Sequence, residues 1–167
     1  MTAGATYTPL ATTTGTGSST RISFTSISQS YTDLVLVASN IDVQIDDMGC
    51  IFNSDTGNNY SRTRVTGNGS TASSNRNTSN NKLYFLYKDG TASTIVYSIL
   101  NIMNYSNSTT HKNAMARYSN YTSSAYTAVL ETYLWRDTAA ITRIDVDSTN
   151  ANFSTNCKFT LYGIAAA

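Results

Sequence analysis

Two residue types that often perform acid–base chemistry occur once each in this chain, as His111 and Glu131. A histidine that acts as a general base needs an oriented partner and a nucleophile or water to activate. No such partner is evident around His111, which follows Thr109 and Thr110 at a predicted loop edge, so we expect a surface residue there. A glycosidase uses two carboxylates that flank the bond it cleaves, and Glu131 supplies only one of them. We therefore predict a protein that is not an enzyme.

Two aromatic residues close to Glu131 have two interpretations. Tyr133 and Trp135 could form a flat platform on which a sugar ring stacks, as aromatic faces do in carbohydrate sites. The two residues also share one parity of a predicted strand, which suits packing in a core or an interface. The spacing favours the second interpretation.

The aspartates form two groups that could offer oxygen ligands to calcium. The groups are Asp46, Asp47 and Asp55, and Asp145, Asp147 and Asn150. The second group lacks the turn glycine and the final bidentate glutamate of a complete calcium loop. Asp145 and Asp147 also fall on the outward face of an alternating strand, which explains them without a metal. We expect neither a metal nor a cofactor.

Cys50 and Cys157 lie far apart and lack the spacing of a metal site. We expect both to be buried free thiols, because cytoplasmic proteins rarely keep a disulfide, although the sequence leaves a Cys50–Cys157 bond open. The run Gly67-Asn68-Gly69-Ser70 lacks the lysine and the strand-to-helix setting of a phosphate-binding loop.

The composition argues against several classes of partner. The chain has 167 residues and a net charge of +1, and only 13% of its residues are charged, so no basic stripe is available for nucleic acid. No run reaches the roughly 20 apolar residues that a membrane helix requires. Residues 1–20 contain neither a basic segment nor an apolar stretch, so we expect no signal peptide and folding in the cytoplasm of the cell that makes the protein.

The elements that must position these residues are predicted to be strands. The sequence is rich in Thr, Tyr, Val and Ile, which favour strands, and in Ser, Asn and Gly, which favour turns. Residues 20–27, 141–147 and 158–164 alternate apolar and polar side chains, as half-buried strands do. Eight to ten short strands indicate an all-β, jelly-roll-like β-sandwich of antiparallel strands. We assign it to residues 20–167 as one domain, preceded by an extended arm over residues 1–19.

The longest apolar run, residues 94–105, is predicted to be the central strand. Its apolar residues occupy both parities, with Ile99 and Met103 on one and Leu100 and Ile102 on the other. A strand exposed on one face shows one apolar parity, so we expect this strand to be covered on both faces. The predicted core is Phe24, Leu34, Leu36, Ile99, Leu100, Val129, Ile144, Val146, Phe159 and Leu161.

Several polar segments are predicted to be loops and turns. Residues 55–59 read as a loop, and residues 67–81 as the longest loop, of a length that is typical of functional or mobile segments. Residues 46–49 and 88–90 are predicted to be turns.

The arm has no charged side chain, and its only bulky anchors are Tyr7, Pro9 and Leu10. Ordering a residue costs about 1–2 kcal/mol of backbone entropy, which three anchors cannot offset over nearly twenty residues. We therefore predict that the arm adds a strand to a sheet edge of a neighbouring copy or of the shell of a larger particle, and that Tyr7, Pro9 and Leu10 lie at that interface.

Four groups of segments, taken in order, carry a resemblance to known proteins. They are ISFTSI (22–27) with YTDL (31–34); FNSDTGNNYS (52–61) with GNG (67–69); IMNY (102–105) leading to TTHK (109–112); and LWRDTAAIT (134–142) with NF (152–153) and FTLYGI (159–164). The chain resembles a family of small virion structural proteins of tailed bacteriophages over residues 20–164. The family has no catalytic motif to transfer, and the resemblance implies a component of the virus particle.

The leading hypothesis is a non-enzymatic virion protein that works as an oligomer, with a trimer as the expected state. We place it on the capsid as a decoration or cement protein, in contact with the major capsid protein, because the short chain shows no heptads, repeats or second domain of a tail fibre. The alternative is a tail-fibre or receptor-binding tip whose loops at residues 55–60 and 67–81 contact host surface glycans. A glycan-active enzyme built around Glu131 ranks below both.

Overall fold

The computed structural model describes residues 6–41, 45, 47–87, 96–122 and 125–165. These residues form strands and turns, with no helix among them. The strands are β1 Tyr7–Thr14, β2 Arg21–Phe24, β3 Asp33–Ile41, β4 Asp47–Phe52, β5 Tyr60–Gly67, β6 Ala72–Asn80, β7 Leu83–Tyr87, β8 Val96–Met103, β9 Lys112–Thr122, β10 Ala125–Trp135, β11 Ile144–Ser148 and β12 Lys158–Ile164.

The strands build two sheets that pack face to face. The wide sheet has the order β1-β12-β3-β8-β9-β10-β5-β6, and the narrow sheet has the order β2-β11-β4-β7. Every described pairing is antiparallel. The prediction of an all-β sandwich is therefore confirmed. The finer prediction of a jelly roll is not, because a jelly roll divides eight strands between its sheets, whereas the described chain places eight in one sheet and four in the other.

The alternation seen in the sequence matches the side that each residue faces. In β12, Phe159 and Leu161 are buried while Lys158 is exposed, and in β2 the buried residues are Ile22 and Phe24. Strands in which one face packs on a core and the other meets solvent produce this period of two. The alternating segments were therefore the most reliable part of the sequence for locating strands.

The core lies between the sheets and draws on both. Trp135 of β10 packs edge-on against Phe52 of β4, with ring centroids 5.5 Å apart, and stacks on Tyr60 of β5 at 6.3 Å. Nine of the ten predicted core residues are buried, the exception being Ile99. Burial of Tyr133 and Trp135 confirms the core interpretation of these two aromatic residues.

Strand β8 lies centrally in the wide sheet, between β3 and β9, as predicted. The expectation that both of its faces are covered is wrong for this chain. Leu100 and Ile102 point into the core, but Ile99 is only half-buried and Tyr97 and Met103 are exposed. The described part of the chain forms no third layer, so the second apolar parity of β8 lies on the outer surface of the wide sheet.

The predicted long loop at residues 67–81 is corrected by the structure, because residues 72–80 form β6 and pair with β5. All but the last of the nine residues of β6 are exposed. The strand lies at the edge of the wide sheet, where both its faces meet solvent, so its sequence has no apolar parity for a pattern to reveal.

The arm adds a strand to a sheet edge, as predicted, but the edge belongs to its own chain. Strand β1 pairs with β12, Tyr7 lying opposite Ile164 and Thr14 opposite Lys158. Beyond β1, the chain runs so close to residues 153–154 that a Cβ on Gly15 would lie 2.2 Å from the carbonyl oxygen of Ser154. Residues 7–15 are thus part of the sandwich, which corrects the prediction of an arm that pairs with a neighbouring copy.

The two predicted turns have different outcomes. Residues 47–49 belong to β4 rather than to a turn, since Asp47 and Met48 pair with Tyr87 and Leu86 of β7. The turn at residues 88–90 lies outside the described residues, as does Asp46 of the first aspartate group.

Candidate assembly surface

Glu131 lies inside the sandwich, in a cluster of charges that links β5, β9 and β10. Its side chain is fully buried, and its Oε1 accepts a hydrogen bond from the Tyr118 hydroxyl at 2.8 Å. The guanidinium groups of Arg64 and Arg62 approach its two oxygens at 3.5 and 3.9 Å. Burial raises the pKa of the Glu131 carboxyl, and the hydrogen bond and the two arginines oppose this only in part. The cluster therefore joins neighbouring strands and has no exposed carboxylate.

Asp55 organises the turn between β4 and β5 from within. Its carboxylate accepts hydrogen bonds from Trp135 Nε1 at 2.7 Å, from Asn59 Nδ2 at 2.9 Å and from the Gly57 amide at 2.9 Å. Partial burial would raise the pKa of Asp55, but these three hydrogen bonds outweigh it and lower that pKa. The loop that was expected to meet glycans thus uses its carboxylate to hold the core residue Trp135.

The second aspartate group lies on the outward face of the narrow sheet and is occupied by cations of the protein itself. Asp145 is held by Arg143 at 2.7 Å and by the Ser23 hydroxyl at 2.5 Å. Asp147 pairs with Lys82 at 3.2 Å and with Arg21 at 3.6 Å. Among the described residues, no group of three His, Cys, Asp or Glu side chains is placed to hold a metal ion.

The remaining candidate residues have structural positions. His111 is exposed immediately before β9, as predicted. Cys50 and Cys157 are both free and buried, which confirms the expectation of two thiols, and burial raises the pKa of Cys50 well above its usual value. These residues form no common site.

The predicted interface residues of the arm have different surroundings. Tyr7 is exposed, and its ring makes an edge-on contact with Tyr162, with centroids 6.3 Å apart. Leu10 packs against the core and lines a groove of about 390 Å³ between β1 and β2, whereas Pro9 is exposed. Contact of Tyr7, Pro9 and Leu10 with another subunit stays a prediction.

The exposed large apolar side chains of the described residues all lie on one side of the molecule. They are Tyr7, Val65, Tyr97, Met103, Tyr126 and Leu130. Strand register places each of them on the outward face of the wide sheet: Leu130 pairs with Val65, and Met103 lies on the same side of β8 as Tyr97. The outward face of the narrow sheet carries the ion pairs of Asp145 and Asp147 instead. The two outer surfaces therefore differ sharply in polarity.

The centre of the wide sheet's outward face is a shallow apolar groove. We call Val65, Tyr97, Ile99, Met103 and Leu130 the outer apolar face. All of these except Met103 line a groove of about 590 Å³. Val65, Tyr97 and Leu130 are 47%, 59% and 43% exposed, so the protein leaves about half of each side chain in water.

Two polar groups interrupt this apolar surface. Arg117 lines the groove between Ile99 and Leu130 on the neighbouring strands, is exposed, and forms no ion pair with any residue that the structure describes. Two residues along β8 from Ile99, the side-chain oxygen of Asn101 is buried, with no hydrogen-bond partner among the described residues. A molecule that covers the face can offer an acceptor to the guanidinium of Arg117, whereas the Asn101 oxygen lies beneath the surface.

Sequence reasoning assigned Ile99 to the core, and it placed Val65 and Leu130 in predicted strands without assigning either to a surface. The apolar second parity of β8 was the indication of this surface. Val65 and Leu130 lie on β5 and β10, so only the strand register brings them to the same surface as β8.

Comparison of the chain with protein-family models, with curated proteins and with solved structures gave no match. The part of the chain that the structure describes contains no helix that is long and apolar enough to cross a membrane.

Proposed function

We propose that this protein is a non-enzymatic structural subunit of a bacteriophage virion, and that it works as a capsid decoration or cement protein. The observation that carries the proposal is the second apolar parity of β8. The narrow sheet covers Leu100 and Ile102, whereas Tyr97, Ile99 and Met103 face outward. A contiguous apolar surface on an otherwise polar molecule is typical of a protein contact site. A subunit that attaches to a larger particle would use such a face.

The occupant that fits the outer apolar face is the shell formed by the major capsid protein. A cement protein must bury one side against the shell and keep the other side soluble. The outward faces of the two sheets meet these two requirements. The narrow sheet carries ion pairs, and the wide sheet carries the exposed apolar side chains. Arg117 adds a requirement for charge complementarity, since a guanidinium that becomes buried needs a carboxylate or carbonyl acceptor from the shell.

The resemblance of residues 20–164 to small phage virion proteins supports the same role. The trimer expected from the sequence stays a prediction, as does the location of the protein in the virion. An antiparallel sandwich suits a particle component because paired strands leave few backbone groups accessible to proteases.

The alternative function is a tail-fibre or receptor-binding tip that contacts host surface glycans. That alternative depended on polar loops at residues 55–60 and 67–81. In the structure the Asp55 oxygens are taken by Trp135, Asn59 and Gly57, and most of the second segment is β6. The capsid role therefore has the better support.

Substitution of Leu130 by arginine tests the proposal. A phage that carries Leu130→Arg should make a folded protein with the wild-type melting temperature, because this side chain is already partly in water. We expect the purified virions to lose the variant, while a control variant, Ser108→Arg at an exposed turn, stays incorporated. Virions that retain Leu130→Arg at the wild-type copy number would overturn the proposal.

A further inference from the structure

The four edges of the two sheets differ in how well they are protected against pairing with another strand. An open edge presents unpaired backbone N–H and C=O groups, and proteins usually block it with proline, a bulge, a charge or a very short strand. Strand β1 contains Pro9 and a register shift between Pro9 and Ala11. Strand β2 has only four residues, one of them the exposed Arg21. Both of these edges are therefore blocked.

The third edge is protected by its length and by its neighbours. Strand β7 has five residues. The carbonyl oxygens of Tyr84 and Phe85 accept hydrogen bonds from the hydroxyls of Tyr133 and Ser98 on the wide sheet. These backbone groups are therefore not open to another strand.

Strand β6 is the least protected of the four edges. It has nine residues, contains no proline, and carries a single charge at Arg76. Its pairing with β5 is regular from Ala72 to Asn77, and the register shift falls only near its C-terminal end. Eight of the nine residues are exposed, so side-chain burial contributes almost nothing to the ordering of this strand. A strand that is held only by one neighbour gains most from a second one.

We infer that β6 is a self-association edge, which pairs antiparallel with β6 of a second copy of this chain. Since the other three edges are blocked, β6 of another copy is the one edge of the described chain that matches it. A two-fold axis at Ser74 or Asn75 would set Arg76 opposite Ala72 or Ser74 of the partner copy, so the two arginines would not meet. The pairing would join two wide sheets into one and place two outer apolar faces side by side.

This inference concerns a different surface from the outer apolar face and does not rest on a role in the virion. A two-fold contact predicts species with an even number of chains: dimers, or hexamers where trimers also form. A variant that disrupts the outer apolar face should be lost from virions but should still pair through β6. A variant that disrupts β6 should no longer pair but should still attach to the shell.

Cysteine cross-linking in the full-length protein tests the pairing. Both native cysteines are buried, so a cysteine introduced on β6 is the exposed thiol. Opposed residues of an antiparallel pair lie within the range of a disulfide. We expect Ser74→Cys or Asn75→Cys to form a covalent dimer under mild oxidation, and we expect Thr14→Cys on the opposite edge to stay monomeric on denaturing gels. Equal cross-linking of the β1 and β6 variants would overturn the inference.

Sedimentation velocity gives a second readout. The wild-type protein should contain an even-numbered species, and Ser74→Lys should raise its dissociation constant about tenfold, because like charges would then meet across the axis. The introduced lysine faces Arg76 twice when the axis is at Asn75, and faces its own copy in the partner when the axis is at Ser74. The matched control Thr14→Lys should leave the dissociation constant unchanged, and both variants should keep the wild-type melting temperature. A wild-type protein that is only monomeric or trimeric, or a Ser74→Lys variant that associates as the wild type does, would contradict β6 pairing.

Discussion

Single residues in this protein are used for holding the sandwich together, and Asp55 is the clearest example. It is the polar residue that fixes the indole of Trp135, the largest fully buried side chain. Replacement by asparagine removes the negative charge and converts the charge-assisted hydrogen bonds to neutral ones. We expect Asp55→Asn to lower the free energy of unfolding at pH 7 by about 1–3 kcal/mol, as measured by denaturant titration.

The pH dependence of that loss follows from the lowered pKa of Asp55. A carboxyl whose pKa is lower in the folded state stabilises the fold fully above its unfolded pKa, near 4, and loses this contribution as the pH falls towards the folded pKa. The stability difference between wild type and Asp55→Asn should therefore shrink below about pH 4. A difference that stays constant from pH 7 down to pH 2.5 would show that the carboxylate charge plays no part.

Glu131 illustrates the limit of sequence reasoning at this scale. Its position in a strand beside Tyr133 and Trp135 was visible, and so was the preference of these aromatics for the core. The two arginines that meet it come from β5, and Tyr118 comes from β9, so its partners depend on strand register. No local pattern in the sequence specifies that register.

At the scale of elements, the alternation of apolar and polar residues located the strands that have one buried and one solvent-exposed face. It did not locate strands whose two faces have the same environment. Strand β6 is wet on both faces, so it reads as a loop. Strand β8 carries apolar residues on both faces, so both faces were expected to be buried. Within the described chain, the narrow sheet covers only the inward face. The arm lacks alternation too, because β1 is fixed mainly by its backbone pairing with β12 and by the contact at Gly15.

The two faces of β8 can be compared by mutation. Leu100 is fully buried, so Leu100→Ala should lower the free energy of unfolding by about 2–5 kcal/mol, as large-to-small core changes do. Its neighbour Ile99 faces the groove and is only partly buried, so Ile99→Ala should cost only about 1 kcal/mol in the isolated protein. Equal losses in a denaturant titration would mean that the outward face of β8 is already covered in the free molecule.

At the scale of the whole molecule, the decisive property is the difference between its two outer surfaces. The narrow sheet presents ion pairs, and the wide sheet presents every large apolar side chain that is exposed in the described chain. The composition predicted one all-β domain, but the unequal division into eight and four strands depends on long-range pairing that the sequence does not encode locally. Because the described chain forms only two layers, the outward face of the wide sheet and its apolar residues stay uncovered.

Under the proposed role, imaging of the encoding phage's virion at side-chain resolution tests most directly whether the outer apolar face meets the capsid shell. We predict that the chain is found on the capsid, with Tyr97, Ile99 and Leu130 in contact with the major capsid protein and with an acceptor from that protein facing Arg117. A chain that sits on the particle with this face open to water, or a particle that lacks the chain, would contradict the proposed role.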